Sequence, residues 1–444
     1  MSSEALRFPS DFLWGTATAG HQVEGDPAPN DWTEWQRLPG KVSDGTNADT
    51  ACEWWSGRNT EDMDLAQGMH NNALRLSVEW SRVEPREGEW DEAALARYRE
   101  VLVTARQRGL EPMLTLFHFV SPLWLAQQGG WHDQRTVALF GRYAAKVADS
   151  LGDLVSLWCT INETNVYSLY SYMTGMWPPQ KKDILATLRV MRHLLLGHAA
   201  AYRAIRRSQS DARVGLAQHI HFFDPANPNS WLDRLAAGMQ DHVVNQLELA
   251  FPSSGRLPFP LGLNQSVPDA VDSQDFIGVN YYSRDMVRFD LMQPAALFGR
   301  RFPKPGAPYS MDGWGEIYPD GLYRAIKRVE PYGKPIYVTE TGIPDNDDSQ
   351  RPAFLLTHLA AVHRAIREGS PVKGFFFWSL VDNFEWAEGF RARFGLIHMD
   401  LVTRKRTIRR SGELYREICD AGGVTRDMVE RYAPQVMDQV FAGN

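Results

Sequence analysis

Eight short runs of apolar and β-branched residues recur along the 444-residue chain, and amphipathic stretches separate them. The runs are continuously apolar rather than alternating, which is typical of parallel strands buried on both faces. Stretches 91–109, 135–152 and 353–369 repeat apolar residues at i, i+3 and i+4 and run into a glycine, as helices often do. Eight such units predict an α/β fold, the (β/α)₈ or TIM barrel. The predicted strands are residues 12–17, 73–78, 112–118, 156–162, 214–219, 276–282, 336–340 and 374–380.

The spacing of these units predicts one barrel domain over residues 1–444, without internal repeats. Stretches 18–72 and 284–317 are rich in Gly, Pro and Asp, and we expect them to form long insertions at the carboxyl-terminal rim of the barrel. Residues 424–444 follow the last unit, and their apolar spacing predicts a helical appendage.

Charge and cysteine content exclude several classes of function. The net charge is −7 and no basic-aromatic stripe stands out, so we expect no nucleic-acid partner. Cys52, Cys159 and Cys419 lie too far apart in sequence for a disulfide framework or a zinc motif, which favours a reducing compartment. The amino-terminal residues lack an apolar signal core, and no run of about 18 apolar residues occurs, so we expect a cytoplasmic protein without a membrane partner. The sequence does not indicate whether the protein is a monomer or an oligomer.

Polar and aromatic residues end most of the predicted strands. Glu163 follows Asn162 at the end of the fourth strand, and Glu340 ends the seventh. Because the active site of such a barrel lies at the carboxyl ends of its strands, the two carboxyl groups are expected to face each other across its mouth. A carboxyl pair of this kind cleaves glycosidic bonds. A single strand-end glutamate would be better explained as a capping or salt-bridging residue, but two in matching positions favour the catalytic interpretation.

Aromatic residues make up 11% of the chain. They are compatible equally with a thick core and with flat surfaces on which the C–H faces of sugars pack.

Six ordered stretches carry a family resemblance. "FLWGTATAGHQVEG" (12–25), "TINET" (160–164), "GVNYYS" (278–283), "VTETG" (338–342), "WSLVDNFEW" (378–386) and "RFGLIHMD" (393–400) occur in this order. The chain resembles family 1 of the glycoside hydrolases, the β-glucosidase and β-galactosidase group, across nearly its whole length. The six stretches together are very specific evidence for this family, whereas any one of them alone would be weak evidence.

The resemblance implies a retaining exo-β-glycosidase without a cofactor or a metal, most simply a β-glucosidase acting on small β-glycosides or oligosaccharides. It also implies tolerance of β-galactosides or β-fucosides, and transglycosylation as a side activity. Glu340 would be the nucleophile and Glu163 the general acid/base. Arg75 and Asn280 would surround the nucleophile, and the implied substrate-binding residues are Gln22, His118, Asn162, Tyr282, Trp314, Trp378, Glu385, Trp386 and Phe394.

These roles require different proton affinities for the two carboxyl groups. We expect Arg75 and Tyr282 to depress the pKa of Glu340, so that it stays ionised, and we expect the charge of Glu340 to raise the pKa of Glu163. A retaining outcome predicts carboxyl groups about 5–5.5 Å apart, against about 6.5–9.5 Å for inversion.

Four positions depart from the family pattern. Thr164 replaces a proline after the acid/base, Thr341 replaces an asparagine after the nucleophile, and Phe119 and Phe390 replace Trp and Tyr. None of them removes a reacting group, although the shape of the site can change. Glu385 is present and would repel a phosphate, so the expected sugars are unphosphorylated.

Other functions have weaker support. "HIH" (219–221) ends the fifth strand and could bind a metal, but no third ligand is evident; a packed His219 and an exposed His221 explain it better. No G-x-S-x-G elbow, G-x-G-x-x-G turn or phosphate loop occurs. A carbohydrate-binding or scaffold protein on an inactive barrel remains an alternative, which an aryl β-glucoside assay would separate from an enzyme.

Overall fold

The structure is a computed structural model that describes residues 5–310 and 313–441. Eight parallel strands close into a barrel in chain order, with β8 beside β1, which confirms the predicted (β/α)₈ fold. The remaining residues of the predicted domain (1–4, 311, 312 and 442–444) lie outside the described chain. The strands are β1 (Leu13–Ala17), β2 (Ala73–Ser77), β3 (Glu111–Phe117), β4 (Leu157–Asn162), β5 (Arg213–His219), β6 (Phe276–Asn280), β7 (Ile336–Thr341) and β8 (Val372–Trp378).

A helix follows each strand and covers the outside of the barrel. The apolar stripes of these helices face the strands. In the seventh helix, for example, Phe354, Leu355 and Leu359 are fully buried or nearly so. The three helices predicted from periodicity are present, with ends shifted by one to two residues. The helices are α1 (Asn59–Gly68), α2 (Glu92–Gln107), α3 (Arg135–Leu151), α4 (Ile184–Ser208), α5 (Trp231–Asp241), α6 (Pro319–Val329), α7 (Arg351–Arg367) and α8 (Arg410–Ala421).

The interior of the barrel is a packed core of its own. Every strand contributes at least one side chain to a buried cluster that contains both small and large residues. Gly215 on β5 shows how tight this packing is, because a Cβ there would lie 2.5 Å from the ring of Phe276. The contributing side chains are Ala17, Ala73, Met113, Leu157, Cys159, Ala217, Phe276, Tyr337, Phe376 and Trp378.

The two long insertions carry more regular structure than their composition predicted. Stretch 18–72 contains short helices at Gly20–Val23 and Asp31–Gln36 in addition to α1. Stretch 284–317 contributes two strands, Arg284–Phe289 and Gly299–Phe302, to a three-stranded rim sheet with Phe222–Pro225. Other short helices are Trp80–Val83, Leu123–Gln127, Thr164–Ser168, Leu247–Leu249 and Phe251–Ser254, and two-stranded pairs join Gly255–Leu257 to Gln265–Val271 and Ile397–Met399 to Arg406–Ile408.

The first and last described segments of the chain lie on the side of the barrel near α7. Strand Ala5–Arg7 pairs antiparallel with Gly423–Thr425. Helices Arg426–Tyr432 and Met437–Phe441 follow and pack against α7. Most of the predicted helical appendage is therefore described, and it adds to the helical layer of the barrel.

Hydrogen-bond register shifts occur at the strand ends that bear the candidate catalytic residues. The β4/β5 register shifts between Cys159 and Asn162, and the β6/β7 register shifts between Val279 and Asn280. Such irregularities redirect side chains at barrel rims. They also explain why β6 ends at Asn280, two residues before its predicted end, since the Tyr281 amide donates to the Glu340 carbonyl at 3.0 Å outside the regular ladder.

Gly321 at the start of α6 provides a test of the packing. A Cβ there would lie 1.9 Å from the hydroxyl oxygen of the fully buried Tyr281. Gly321→Ala should lower the free energy of unfolding by about 1–3 kcal/mol, because the core would be overpacked. Gly238→Ala in α5 is the matched control, since no atom lies within 4 Å of its Cβ position. It should stabilise by about 0.5–1 kcal/mol through helix propensity. Denaturant unfolding measures both, and a stabilising Gly321→Ala would contradict this account.

Candidate active site

Glu340, at the end of β7, is held by a cation and a hydroxyl group. Arg75 from β2 forms an ion pair with its Oε1 through Nη1, and the Tyr282 hydroxyl donates to its Oε2 at 2.8 Å. Glu340 is only 3% exposed and Arg75 is fully buried. Arg75 also donates to Asn162 Oδ1 at 2.7 Å and to Thr115 Oγ1 at 3.2 Å. The guanidinium thus ties the candidate nucleophile to strands β2, β3 and β4.

Glu163 follows the last residue of β4 in a left-handed backbone conformation, with φ of 47°. Its amide donates to the Ala217 carbonyl of β5 at 2.8 Å, which continues the contact between the two strands beyond the register shift. The Asn280 side-chain amide from β6 donates to Glu163 Oε1 at 2.7 Å. The same amide donates to Asn162 Oδ1 at 3.1 Å, so Asn280 links Glu163 to the group of side chains around Arg75.

Burial and mutual repulsion separate the proton affinities of the two carboxyl groups. Burial, and then the negative charge of Glu340, raise the pKa of Glu163 well above its ordinary value. Burial also raises the pKa of Glu340, but the charge of Arg75 and the hydrogen bond from Tyr282 oppose this effect. The contacts from Arg75 and Tyr282 therefore favour the charged form of Glu340, and that charge in turn favours the protonated form of Glu163.

The expectation that the pKa of Glu340 lies below its ordinary value is wrong. Arg75 and Tyr282 act in the expected direction, but the loss of hydration at a fully buried position is the larger effect. Both contacts still favour the charged form of Glu340, which is the form that the proposed division of roles requires.

Polar side chains from β4 and from the segments after β1, β3 and β8 converge beside Glu340. Gln22 donates through Nε2 to Glu385 Oε2 at 3.2 Å, and Trp378 donates to the same oxygen at 3.4 Å. The Asn162 amide donates to His118 Nε2 at 3.2 Å. Burial, with a smaller contribution from the charge of Glu340, raises the pKa of Glu385 to about 8. These groups are prearranged to bond the hydroxyls of a small polar ligand.

Aromatic rings enclose this polar group. His118 stacks on Trp378 and on Trp386, with ring centroids 5.9 and 6.0 Å apart. Phe394 packs edge-on against Trp314 with centroids 5.0 Å apart. Met311 and Asp312, which precede the described stretch at Gly313, belong to the segment from which Trp314 was predicted and lie outside the described residues.

The predicted residues meet at one cavity of about 290 Å³. Eight of them line it: His118, Glu163, Tyr282, Trp314, Glu340, Trp378, Glu385 and Trp386. Four others, Gln22, Arg75, Asn162 and Asn280, contact lining residues from behind through the hydrogen bonds given above, and Phe394 contacts Trp314 and Tyr282.

Sequence reasoning did not single out several lining residues on the outer part of the cavity. Phe119 lines the cavity, although the sequence analysis named it only as a departure from the family pattern. Tyr170, Met176 and Trp177 line it as well, and they come from the stretch after β4. His219 and His221 also line it; His221 was expected to be exposed, but its side chain is only 18% exposed because it pairs with Asp285 at 3.0 Å. The clustering of aromatics within 167–177, just after the Glu163 motif, was the available signal. The other lining residues not singled out for the site are Val166, Ser283, Gly313, Ala387 and Glu388.

Comparison with known proteins identifies the family. The sequence profile of glycosyl hydrolase family 1 matches residues 4–424. The chain therefore belongs to that family. This family 1 glycosidase is 32% identical to beta-glucosidase A of Thermotoga maritima, over 94% of this chain and 99% of that protein. The resemblance drawn from the motifs is confirmed, and the protein is a glycoside hydrolase.

Solved structures agree with this assignment. The beta-glycosidase from Pyrococcus horikoshii is 36% identical and superimposes with a TM-score of 0.89, covering 96% of this chain and 98% of that chain. The family 1 β-glucosidase from Thermotoga maritima in complex with isofagomine lactam is 30% identical with a TM-score of 0.88, covering 94% and 99% of the two chains.

Within residues 5–310 and 313–441 of this family 1 glycosidase, no group of three or more His, Cys, Asp or Glu side chains is arranged to hold a metal ion. None of the helices described there is both long enough and apolar enough to cross a bilayer.

The electrostatic coupling of the two glutamates can be tested directly. Glu340→Gln removes the negative charge beside Glu163, so the pKa of Glu163 should fall and the group should ionise at a lower pH. The pKa should stay above the ordinary glutamate value, because burial is the larger cause. Carbon-13 NMR titration of labelled glutamate carboxyl groups measures the change, with Glu163→Gln identifying the resonance. Glu100→Gln on the surface should leave it unchanged, and an unshifted Glu163 in Glu340→Gln would refute the coupling.

Proposed function

We propose that this family 1 glycosidase is a retaining exo-β-glycosidase, most simply a β-glucosidase that releases terminal non-reducing β-D-glucosyl residues. One observation carries the proposal: Glu163 and Glu340 are buried at one barrel mouth with their proton affinities pushed apart, and Asn280 and Arg75 link their surroundings. A proton donor and an ionised nucleophile are the two groups that a double-displacement mechanism needs.

In the first step the Glu340 carboxylate attacks the anomeric carbon. The bond from that carbon to the glycosidic oxygen breaks, and Glu163 donates its proton to the leaving oxygen. A covalent glycosyl ester on Glu340 results. We expect the two carboxyl groups to lie about 5–5.5 Å apart, the separation at which one of them can reach the sugar carbon itself.

In the second step the charge of Glu340 has been consumed by the ester. The repulsion that held the proton on Glu163 is then absent, so Glu163 has a lower proton affinity and acts as a base. It removes a proton from water, the hydroxyl attacks the anomeric carbon, and the ester bond breaks. An alcohol or a second sugar can take the place of water, which gives transglycosylation as a side reaction.

Side chains around the cavity would hold the sugar. Glu385 and Gln22 would bond its hydroxyls with His118, Asn162 and Trp386, while Trp378 would supply an apolar floor. Glu385 opposes a phosphorylated sugar by like-charge repulsion whenever it is ionised. The same set would admit β-galactosides and β-fucosides to a smaller extent. Trp314 and Phe394 would flank the leaving-group side.

The departures from the family pattern would alter rate or preference rather than mechanism. Thr164 and Thr341 are both buried, and neither hydroxyl has a hydrogen-bond partner among residues 5–310 and 313–441. A buried polar group left without a partner costs about 1–3 kcal/mol. Every step above uses side chains of the protein alone. Three unpaired cysteines, of which Cys52 and Cys159 are buried, support a cytoplasmic location.

The nucleophile can be tested by rescue. Glu340→Ala should lower turnover of an aryl β-glucoside by about 10⁴-fold or more, since the covalent route is lost. Added azide or formate should restore part of the turnover by attacking the anomeric carbon from the vacated side, which yields an α-linked product. NMR of the product assigns the anomer. Glu100→Ala should retain full activity, and a β-linked azide product would overturn the mechanism.

The acid/base role predicts a dependence on the leaving group. Glu163→Ala should slow glucosides of poorly acidic alcohols by about 10²–10⁴-fold, because protonation of the leaving oxygen is lost. Glucosides of acidic phenols should lose less in their first step. Initial rates on a series of aryl β-glucosides give the slope against phenol pKa. An equal loss across the series would exclude Glu163 as the acid.

A further inference from the structure

A second cavity lies beside the catalytic one, and the mechanism does not use it. Its volume is about 490 Å³, within the range of about 300–1,000 Å³ that is typical of small-molecule sites. Its walls come from helix Asp31–Gln36, from the segment after β3 and from the segment that joins β4 to the start of α4. Among the described residues, none that lines this second cavity also lines the catalytic one. The two cavities are therefore separate spaces.

An aromatic wall stands between the two cavities. After β3, Phe119 lines the catalytic cavity and Ser121 lines the second one. After β4, Tyr170 lines the catalytic cavity and Tyr172 lines the second one. Tyr167, which also lines the second cavity, stacks on Phe119 with ring centroids 6.5 Å apart. A ligand in the second cavity would thus lie behind this wall and would not take the place of the leaving group.

Buried polar side chains converge on the second cavity. Ser121 is only 1% exposed, and its hydroxyl has no partner at hydrogen-bond distance among the described residues. Tyr167 and Tyr172 are each 2% exposed. Burial raises the pKa of both tyrosines, and the charge of Asp31 adds to the rise, which shows that the two phenols lie near this carboxyl group. A buried hydroxyl without a partner is uncommon in folded proteins, and this one lines a space that can hold a ligand.

Backbone contacts fix Asp31 and Ser121 relative to each other. The Asp31 amide donates to the Ser121 carbonyl at 3.1 Å, and the Ser121 amide donates to Asp31 Oδ1 at 3.0 Å. The Trp32 amide donates to the same Oδ1 at 3.0 Å. Burial raises the pKa of the Asp31 carboxyl to about 7, so near neutral pH it can either donate or accept a hydrogen bond. The polar groups of the second cavity are therefore held in place before any ligand arrives.

The charges at the second cavity favour a neutral ligand. Lys181 and Asp183 both line it and carry opposite charges. His132 lines it as well, and Arg189 donates to His132 Nε2 at 2.6 Å, so this imidazole is an uncharged acceptor. Neither an anion nor a cation would meet charges of the opposite sign alone. An apolar ligand would leave the buried hydroxyls unpaired, whereas a compound with several hydroxyl groups can bond to all of them.

We propose that the second cavity is a non-catalytic binding site for a monosaccharide, which is held by hydrogen bonds to the hydroxyls of Ser121, Tyr167 and Tyr172 and to the carboxyl of Asp31. The choice of glucose as the sugar rests on the proposed function, since glucose is the product that the catalytic cavity would release. The site itself rests on the walls of the second cavity and does not depend on turnover.

A purely structural role for these groups has a different signature. In that role the polar side chains would only join the three rim segments, and glucose would not bind once the catalytic cavity is filled. A binding site gives saturable binding of glucose that persists when the catalytic cavity is filled, and that weakens when a hydroxyl of the second cavity is removed.

The test first fills the catalytic cavity covalently. A dinitrophenyl β-glucoside with fluorine in place of the hydroxyl next to the anomeric carbon should esterify Glu340 and release dinitrophenolate. The fluorine withdraws electrons from the oxocarbenium-like transition state and so slows hydrolysis of the ester. Saturation-transfer NMR of glucose with the labelled enzyme should show saturable binding in the millimolar range. Ser121→Ala and Tyr172→Phe should each raise this Kd by about 2- to 10-fold, the worth of one neutral hydrogen bond.

Tyr323→Phe is the matched control, since the Tyr323 hydroxyl donates to Glu368 at 2.6 Å on the surface of α6. It should leave the Kd of glucose unchanged. All three variants should be labelled by the fluorinated glucoside at the wild-type rate, which shows that the catalytic cavity is intact.

The proposal is overturned if glucose shows no saturable binding to the labelled enzyme, or if its Kd stays within about 2-fold of wild type in both Ser121→Ala and Tyr172→Phe. Should Tyr172→Phe fail to fold, Ser121→Ala decides. Failure of the fluorinated glucoside to label Glu340 would instead count against the proposed function. The Kd of glucose for the unlabelled wild type and Ser121→Ala would then decide on the second cavity by the same criterion.

Discussion

The buried guanidinium of Arg75 is the group on which the arrangement of the site depends. It has no exposed surface, yet it carries a full charge inside the barrel, where the loss of hydration is costly. Glu340 supplies the opposite charge, and oxygens of Asn162 and Thr115 accept its remaining hydrogen bonds. These contacts join β2, β3, β4 and β7. The barrel interior is otherwise apolar and tightly packed below this layer, so the charged group has no alternative place at which to be satisfied. Loss of either partner would leave an unpaired buried charge, which costs about 3–5 kcal/mol.

Burial also produces the chemical difference between the two glutamates. In water both carboxyl groups would be ionised at neutral pH, and neither could donate a proton. Removal from water raises the pKa of both carboxyl groups. The two groups differ because Arg75 and the Tyr282 hydroxyl both contact Glu340, whereas Glu163 receives one amide hydrogen bond and the repulsion of its neighbour. Burial, with a smaller contribution from the charge of Glu340, also raises the pKa of Glu385. A site of this kind is sensitive to any change that admits water, since hydration would remove the cause of all three shifts.

The rim of the barrel has two parts, which differ in the side chains that they contribute to the cavity. In one part, Gln22 of helix Gly20–Val23 is hydrogen-bonded to Glu385 after β8, and His118 after β3 is hydrogen-bonded to Asn162. The segment after β4 and the end of β5 add aromatic and histidine side chains to the cavity wall. Division of this sort allows one catalytic arrangement to serve different leaving groups, because the rim segments lie on the surface and tolerate change.

Most of the fold and of the central site was predictable from the sequence. Eight apolar runs with helices between them have few alternative folds, and the ordered motifs identified Glu163, Glu340 and the residues around them before any contact was known. The sequence also placed Arg75 beside Glu340, but it could not rank the effect of burial against that of the cation, and so it gave the wrong direction for the pKa of Glu340. Local periodicity did not reveal the strands in the rim insertion, because their partners lie far away in the chain. The pairing of His221 with Asp285 was equally inaccessible, since 64 residues separate the two in sequence. Strand and helix propensities, set by neighbouring residues, determined the barrel; only the closed tertiary structure decided desolvation and long-range contacts, because both depend on what surrounds a side chain in space.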